Sequence, residues 1–189
     1  MPFVNWLATA GLLLWILYEV VLRHHDSAET ASWKGGQPDQ GSTLLLIGSY
    51  IVSTVVAQTL RSHGVGTVPV AWRWIGVVLL AGGLVLRAWS MRILDASYTR
   101  TLRTTEGQQL ITAGPYGRVR HPGYTGSLLV WTGYCLGIGS WAAMLVVGAL
   151  LTAAYLWRIR VEETMLVEGF GDEYRAYQGR TGRLLPPVR

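Results

Sequence analysis

From Tyr124 to Trp157 the chain runs for 34 residues without a formal charge. Roughly 20 apolar residues cross a bilayer core, so this stretch is long enough for two short membrane helices. The segment "GIGSW", Gly137 to Trp141, is rich in turn formers and divides it. Phe3 to Leu22 carries one charge, Glu19, while Thr43 to Leu60 and Trp74 to Leu86 carry none. We therefore expect an all-α integral membrane protein with about five transmembrane helices, near 3–23, 43–61, 71–94, 124–138 and 141–158. Composition agrees, with half of the 189 residues hydrophobic and only 14% charged. The first segment has neither the basic start nor the small-residue cleavage site of a signal peptide, so it is expected to stay as an anchor.

Charge then orients the helices. With five spans, the loops 23–42 and 92–123 and the C-terminal tail share one side, which holds 13 of the 16 basic residues. Arg61 and Arg73 lie on the other side, and Arg87 falls within a span. Basic loops stay in the cytoplasm, which predicts a multi-pass protein whose active site faces that compartment. The net charge of +5 is accordingly read as topology and contact with anionic membrane lipids, not as a nucleic-acid footprint. Cys135 is the only cysteine, so no intramolecular disulfide can form, and its apolar surroundings suggest a small core residue. His24 and His25 read as solvated loop residues, and no metal site is expected.

Candidate chemistry lies in the second half. In "GPYGRVRHPGYTG", Gly114 to Gly126, Pro122 suits the first turn of a helix and keeps His121 out of the α region. His121 thus stands at the N-cap of the fourth span, where unpaired backbone N–H groups attract an anion such as a carboxylate. Arg118 and Arg120 strengthen that attraction, and Gly123 and Gly126 leave room for a ligand. The bland alternative is a basic interfacial anchor. Further on, Arg158 and Glu162 stand four residues apart and share a helix face where hydrocarbon meets water. They form either an interfacial ion pair or one wall of a polar pocket with "RHPGY". Such a pocket offers cations to a carboxylate and a carboxylate to an ammonium, as an amino-acid-shaped cofactor requires. Beyond Trp157 an amphipathic helix continues through Val161, Met165 and Leu166; Gly169 and Gly171 interrupt it, and a short helix follows around Asp172 to Gln178.

Taken together, GPY, RHPxYxG, a charge-free hairpin, the Glu162–Glu163 pair, FGxxY and a terminal proline resemble the isoprenylcysteine carboxyl methyltransferase family over about residues 92–187. The resemblance implies S-adenosylmethionine (S-adenosyl-L-methionine) as methyl donor, bound on the cytoplasmic side under a C-terminal helical segment. By position, Gln108, Gln109, Leu110, Ile111, Tyr116, His121, Pro122, Gly123 and Tyr124 match the family's cofactor-contacting stretches. Glu162 matches its cofactor-binding glutamate, and Arg158 the arginine near the reacting carboxylate. Arg103 falls near a further cofactor contact.

The chain is thus expected to divide into membrane helices over 1–91 and a methyltransferase core over 92–189. The acceptor implied is a lipophilic carboxylate-bearing substrate, prenylated or not. Phospholipid or amine methylation, or methylation of another small lipophile, is the neighbouring reading. A nicotinamide-dependent sterol-type reductase and a non-catalytic membrane scaffold are the readings outside it.

Overall fold

The computed structural model describes residues 2–29, 41–97 and 110–187, without the side chains of 21–29 and 95–97. Six α-helices carry these residues: α1 (Phe3–Glu29), α2 (Ser42–Ser62), α3 (Val70–Ser97), α4 (Pro122–Gly137), α5 (Trp141–Phe170) and α6 (Asp172–Arg180). A 3₁₀ turn at Gly114–Gly117 precedes α4. Among the described residues the only strand-like pairings are isolated bridges, Thr67 with Ser140 and Val119 with Gly182.

Four helices are long and apolar enough to cross a membrane: α1 over Phe3–Val20, α2, α3 over Val70–Leu94, and α5. Their outward faces carry Leu13, Ile51, Val78, Val85 and Leu145, each more than half exposed, as lipid-facing positions should be. The remaining expected span, α4, has 16 residues, about 24 Å at 1.5 Å per residue. Ten of them are buried, so α4 lies inside the bundle. α1 runs to Glu29, past the boundary expected near residue 23. α5 passes straight through Gly169 and stops at Gly171, whose φ of 56° suits glycine alone.

Glycine also explains how closely α3 and α4 pack. Gly76 and Gly83 on α3 are seven residues apart, as are Gly126 and Gly133 on α4. The pairs face each other in antiparallel register. A Cβ at Gly83 would lie 2.6 Å from Gly126 O and 2.7 Å from Val130 N, and one at Gly133 would lie 2.6 Å from Gly76 O. Without a hydrophobic force between helices in lipid, such small-residue seams supply close van der Waals contact. Around the seam, Trp15 meets Tyr50 edge-on at 5.1 Å, Tyr50 stacks on Trp131 at 5.7 Å, and the Tyr50 and Tyr155 hydroxyls share a 2.8 Å hydrogen bond.

The end of the bundle away from the basic loops is stapled by polar contacts. Arg73 donates to Val68 O at 2.9 Å and Asn5 Oδ1 at 3.1 Å, and Ser140 Oγ donates to Val65 O at 2.8 Å while capping α5 at Ala143 N. These hold the turn between α4 and α5 against the 63–69 connection and so set the register of the hairpin.

The glycine seam separates two neighbouring positions. Gly83→Ala should destabilise the detergent-purified protein by about 1–3 kcal/mol, because backbone must move to admit the methyl. Gly82→Ala, with nothing within 4 Å of its Cβ, should leave stability unchanged or slightly raised. Thermal unfolding of the two variants checks this, and equal behaviour would contradict the seam.

Candidate active site

Proline at the first position of α4 fixes where the helix begins, and His121 occupies the N-cap with φ −123°. The chain leading into that cap is paired with the C-terminal segment. Arg120 N donates to Gly182 O at 2.8 Å, His121 N to Arg183 O at 3.0 Å, and Gly182 N to Arg118 O at 3.1 Å. Thr125 Oγ1 adds a bond to Leu184 O at 2.7 Å. The tail beyond α6 is thus docked against the entrance to α4. Tyr177 of α6 helps, donating to Tyr116 O at 2.7 Å; burial pushes its phenol up to about 12, so it remains a donor.

The adjacent glutamates on α5 face different surroundings, since successive helical residues point about 100° apart. Glu163 is 4% exposed. Its Oε1 accepts from Arg120 Nε at 2.7 Å and lies 3.5 Å from His121 Nε2, and its Oε2 accepts from Arg183 Nε at 3.1 Å. Arg120 goes on to donate to Gln178 O at 3.0 Å and to Thr181 O. One buried carboxylate therefore ties the entrance of α4, the end of α6 and the tail to α5. Sequence reasoning assigned Arg120 to anion attraction at the helix start; the structure commits it to Glu163 instead.

Glu162 faces the other way and keeps about a fifth of its side chain exposed. Its Oε1 accepts from Arg158 Nε at 2.7 Å and from the Tyr124 hydroxyl. Its Oε2 lies 3.6 Å from His121 Nδ1, beyond hydrogen-bond reach. Arg158 Nη1 donates to Ser42 Oγ at 2.7 Å and Thr43 Oγ1 at 3.0 Å, both in the first turn of α2. The His121 and Tyr124 rings stack at 5.7 Å, and Tyr124 stacks on Tyr155 at 4.8 Å. The expected meeting of "RHPGY" with the Arg158–Glu162 face is therefore present in atomic contacts.

Other expected residues fall differently. Tyr116 lies in the 3₁₀ turn, its hydroxyl 3.4 Å from Ser90 O. Leu110 and Ile111 are half-buried just ahead of that turn, while Gln108, Gln109 and Arg103 lie outside the described residues. The room expected at Gly123 and Gly126 belongs to α3: a Cβ at Gly123 would lie 2.5 Å from Arg87 Nη1, and one at Gly126 2.9 Å from Arg87 N. Packing accounts for both glycines, and what Gly123 can offer a ligand is its backbone N–H. Arg87 is itself held by Glu19 of α1 through Nε–Oε1 at 2.7 Å and Nη2–Oε2 at 3.1 Å, a two-pronged pair.

S-adenosylmethionine fits this constellation on three observations. His121 Nε2 is buried with no hydrogen-bond partner. In the first turn of α4 the backbone donor left for a ligand is the Gly123 N–H, since His121 N is bonded to Arg183 O, Pro122 has none, and Tyr124 N donates to His121 O. Glu162 Oε2 supplies an acceptor for an ammonium a few ångströms away.

The two glutamates should respond unequally to truncation. Glu163→Ala leaves the nearly buried Arg120 without its counter-charge and should cost about 3–5 kcal/mol. Glu162→Ala, which leaves Arg158 and the Tyr124 hydroxyl without their shared acceptor, should cost less, about 1–3 kcal/mol. Unfolding midpoints of the ligand-free proteins test the ordering, and a reversal would refute the assignment.

The chain is similar to known proteins over most of its length. The sequence model of the phospholipid methyltransferase family matches residues 71–173, from α3 into α6. A probable protein-S-isoprenylcysteine O-methyltransferase from Oryza sativa subsp. japonica is 28% identical over 96% of this chain and 95% of its own length. The cobalt-zinc-cadmium resistance protein CzcN of Cupriavidus metallidurans is 31% identical over 72% of this chain and 60% of that protein. A solved structure of a eukaryotic intramembrane isoprenylcysteine carboxyl methyltransferase superposes with a TM-score of 0.53 at 22% identity. It covers 83% of this chain, which spans 56% of that one, and establishes likeness of fold. A multi-pass helical bundle, the RHPxYxG entrance joined to its paired glutamates and a match over more than half the sequence together make this chain a member of the phospholipid methyltransferase family, on the side of the isoprenylcysteine carboxyl methyltransferases.

Proposed function

We propose that the protein transfers a methyl group from S-adenosylmethionine to the carboxylate of a lipophilic acceptor, at the cytoplasmic face of the membrane. The observation that carries this reading is the Arg158–Glu162–Tyr124–His121 cluster, set where α5 leaves its apolar stretch. When bound, S-adenosylmethionine supplies a methyl already activated by its sulfonium, and a carboxylate acceptor is already ionised at neutral pH.

The residues of this chain then have little proton transfer to perform, and positioning dominates. Glu162, oriented by the Tyr124 hydroxyl, receives the donor's ammonium at Oε2. The first turn of α4 receives the donor's carboxylate at the Gly123 N–H, with the His121 ring beside it. Arg158 holds the acceptor carboxylate by charge and planar donors without giving up a proton. The tail docked over the entrance excludes water, which strengthens each of these contacts. A lipid tail on the acceptor enters sideways between helices, which accounts for placing such a site in a membrane.

An amine acceptor is the second reading, favoured by the phospholipid methyltransferase model that the sequence matches. It requires a base, because an amine is protonated at neutral pH and must give up that proton before its nitrogen can attack the methyl. Product mass spectrometry with labelled donor separates a methyl ester from a methylated amine.

Arg158 provides the sharper test. Arg158→Ala should leave donor affinity within about threefold while transfer to the carboxylate falls about a hundredfold or more. Arg158→Lys should recover only part of it, since a point charge lacks the planar fork. Calorimetric donor binding beside single-turnover transfer decides, and parallel loss of both would place Arg158 in the donor site.

A further inference from the structure

Arg158 is held from two directions. On its own helix, Nε donates to Glu162 Oε1 at 2.7 Å. From α2, the Ser42 and Thr43 hydroxyls accept from Nη1 at 2.7 and 3.0 Å. Serine and threonine inside a helix commonly bond back to the carbonyl four residues earlier, as Ser49 does to Leu45 and Ser90 to Leu86. Ser42 and Thr43 stand in the first turn of α2, just past Gly41, and there their hydroxyls accept from a side chain of another helix. Ser42 is fully buried and Thr43 half-buried, so this contact is enclosed rather than a surface encounter.

A guanidinium is rigid and planar. Anchoring Nε on one side and Nη1 on the other fixes the plane of the whole group and the direction in which it faces. Charge alone attracts a carboxylate; direction decides whether the bound oxygen lines up with the methyl to be transferred.

We propose that Ser42 and Thr43 are positioning residues for methyl transfer, setting the orientation in which Arg158 presents its guanidinium to the acceptor. The inference rests on the role given to Arg158 under Proposed function. It brings α2 into the active machinery, although the family match begins at residue 71. The first 91 residues are then more than an anchor.

The test uses the full chain in lipid nanodiscs, labelled S-adenosylmethionine, and N-acetyl-S-farnesylcysteine as the lipophilic carboxylate probe. Single-turnover transfer, donor affinity and unfolding midpoint are measured together. The Ser42→Ala, Thr43→Val double variant should slow transfer by about tenfold to a hundredfold with donor affinity and midpoint unchanged. The Ser42→Thr, Thr43→Ser variant, which keeps both hydroxyls, should recover most of the lost rate. Thr43→Val alone should show the same effect at smaller size. Added to Arg158→Ala, the double change should slow transfer no further, because coupled residues are not additive.

Wild-type transfer by the double variant would overturn the proposal. So would equal loss of transfer and donor affinity, or a failure of the hydroxyl-keeping variant to recover rate, either of which makes the contact only a tether between helices. Normal transfer by Arg158→Ala would instead sink the reading of Arg158. An unaltered protein inactive on the probe would sink the functional reading and this inference with it.

Discussion

A carboxylate buried among cations holds the working end of this molecule together. Glu163 draws Arg120 and Arg183 onto one side chain of α5, with the His121 ring alongside. Removing Glu163 strands the nearly buried Arg120 in a medium that solvates it poorly, while Arg183, half exposed, keeps its water. Through Arg120 the carboxylate fixes the end of α6, and through Arg183 it fixes the tail. The entrance to α4 is thereby clamped on both sides. Only then can the neighbouring Glu162 keep a constant position relative to His121 and Tyr124.

The division between the glutamates follows from helix geometry. Adjacent residues point about 100° apart, so with the His121 ring between them Glu163 takes Arg120 and Arg183 as partners and Glu162 takes Arg158 and Tyr124. The backbone seam of α3 and α4 adds a second constraint. Gly83 and Gly126 bring Arg87 against the first turn of α4, and Glu19 holds Arg87 there. Three helices therefore determine the depth at which α4 begins. A fourth, α2, reaches the same level through Ser42 and Thr43.

Hydropathy made the membrane helices legible, because the cost of a charge in lipid writes itself directly into sequence. Pro122 likewise marked the start of α4, a local rule that needs no tertiary partner. The meeting of His121, Tyr124, Arg158 and Glu162 was readable from helical spacing combined with family likeness. What escaped notice required partners distant in sequence. Glu163 looked like a lesser twin of Glu162 because nothing local shows that Arg183 returns to it. Gly123 and Gly126 suggested room for a ligand, yet the space belongs to Arg87. The seven-residue spacing of Gly76 with Gly83 and of Gly126 with Gly133 was visible, but its meaning depends on which helices pair. By sequence Ser42 only closes the 23–42 loop and Thr43 only opens a charge-free run.

The account stands on Glu162 facing the donor and Glu163 facing the scaffold. Calorimetric titration of S-adenosylmethionine into Glu162→Gln and Glu163→Gln, each below its unfolding midpoint, tests that division most directly. A charge-assisted hydrogen bond is lost only in the first, so its affinity should fall about tenfold or more while Glu163→Gln stays within about threefold of the unaltered chain. Undiminished affinity in Glu162→Gln, or a larger loss in Glu163→Gln, would contradict it.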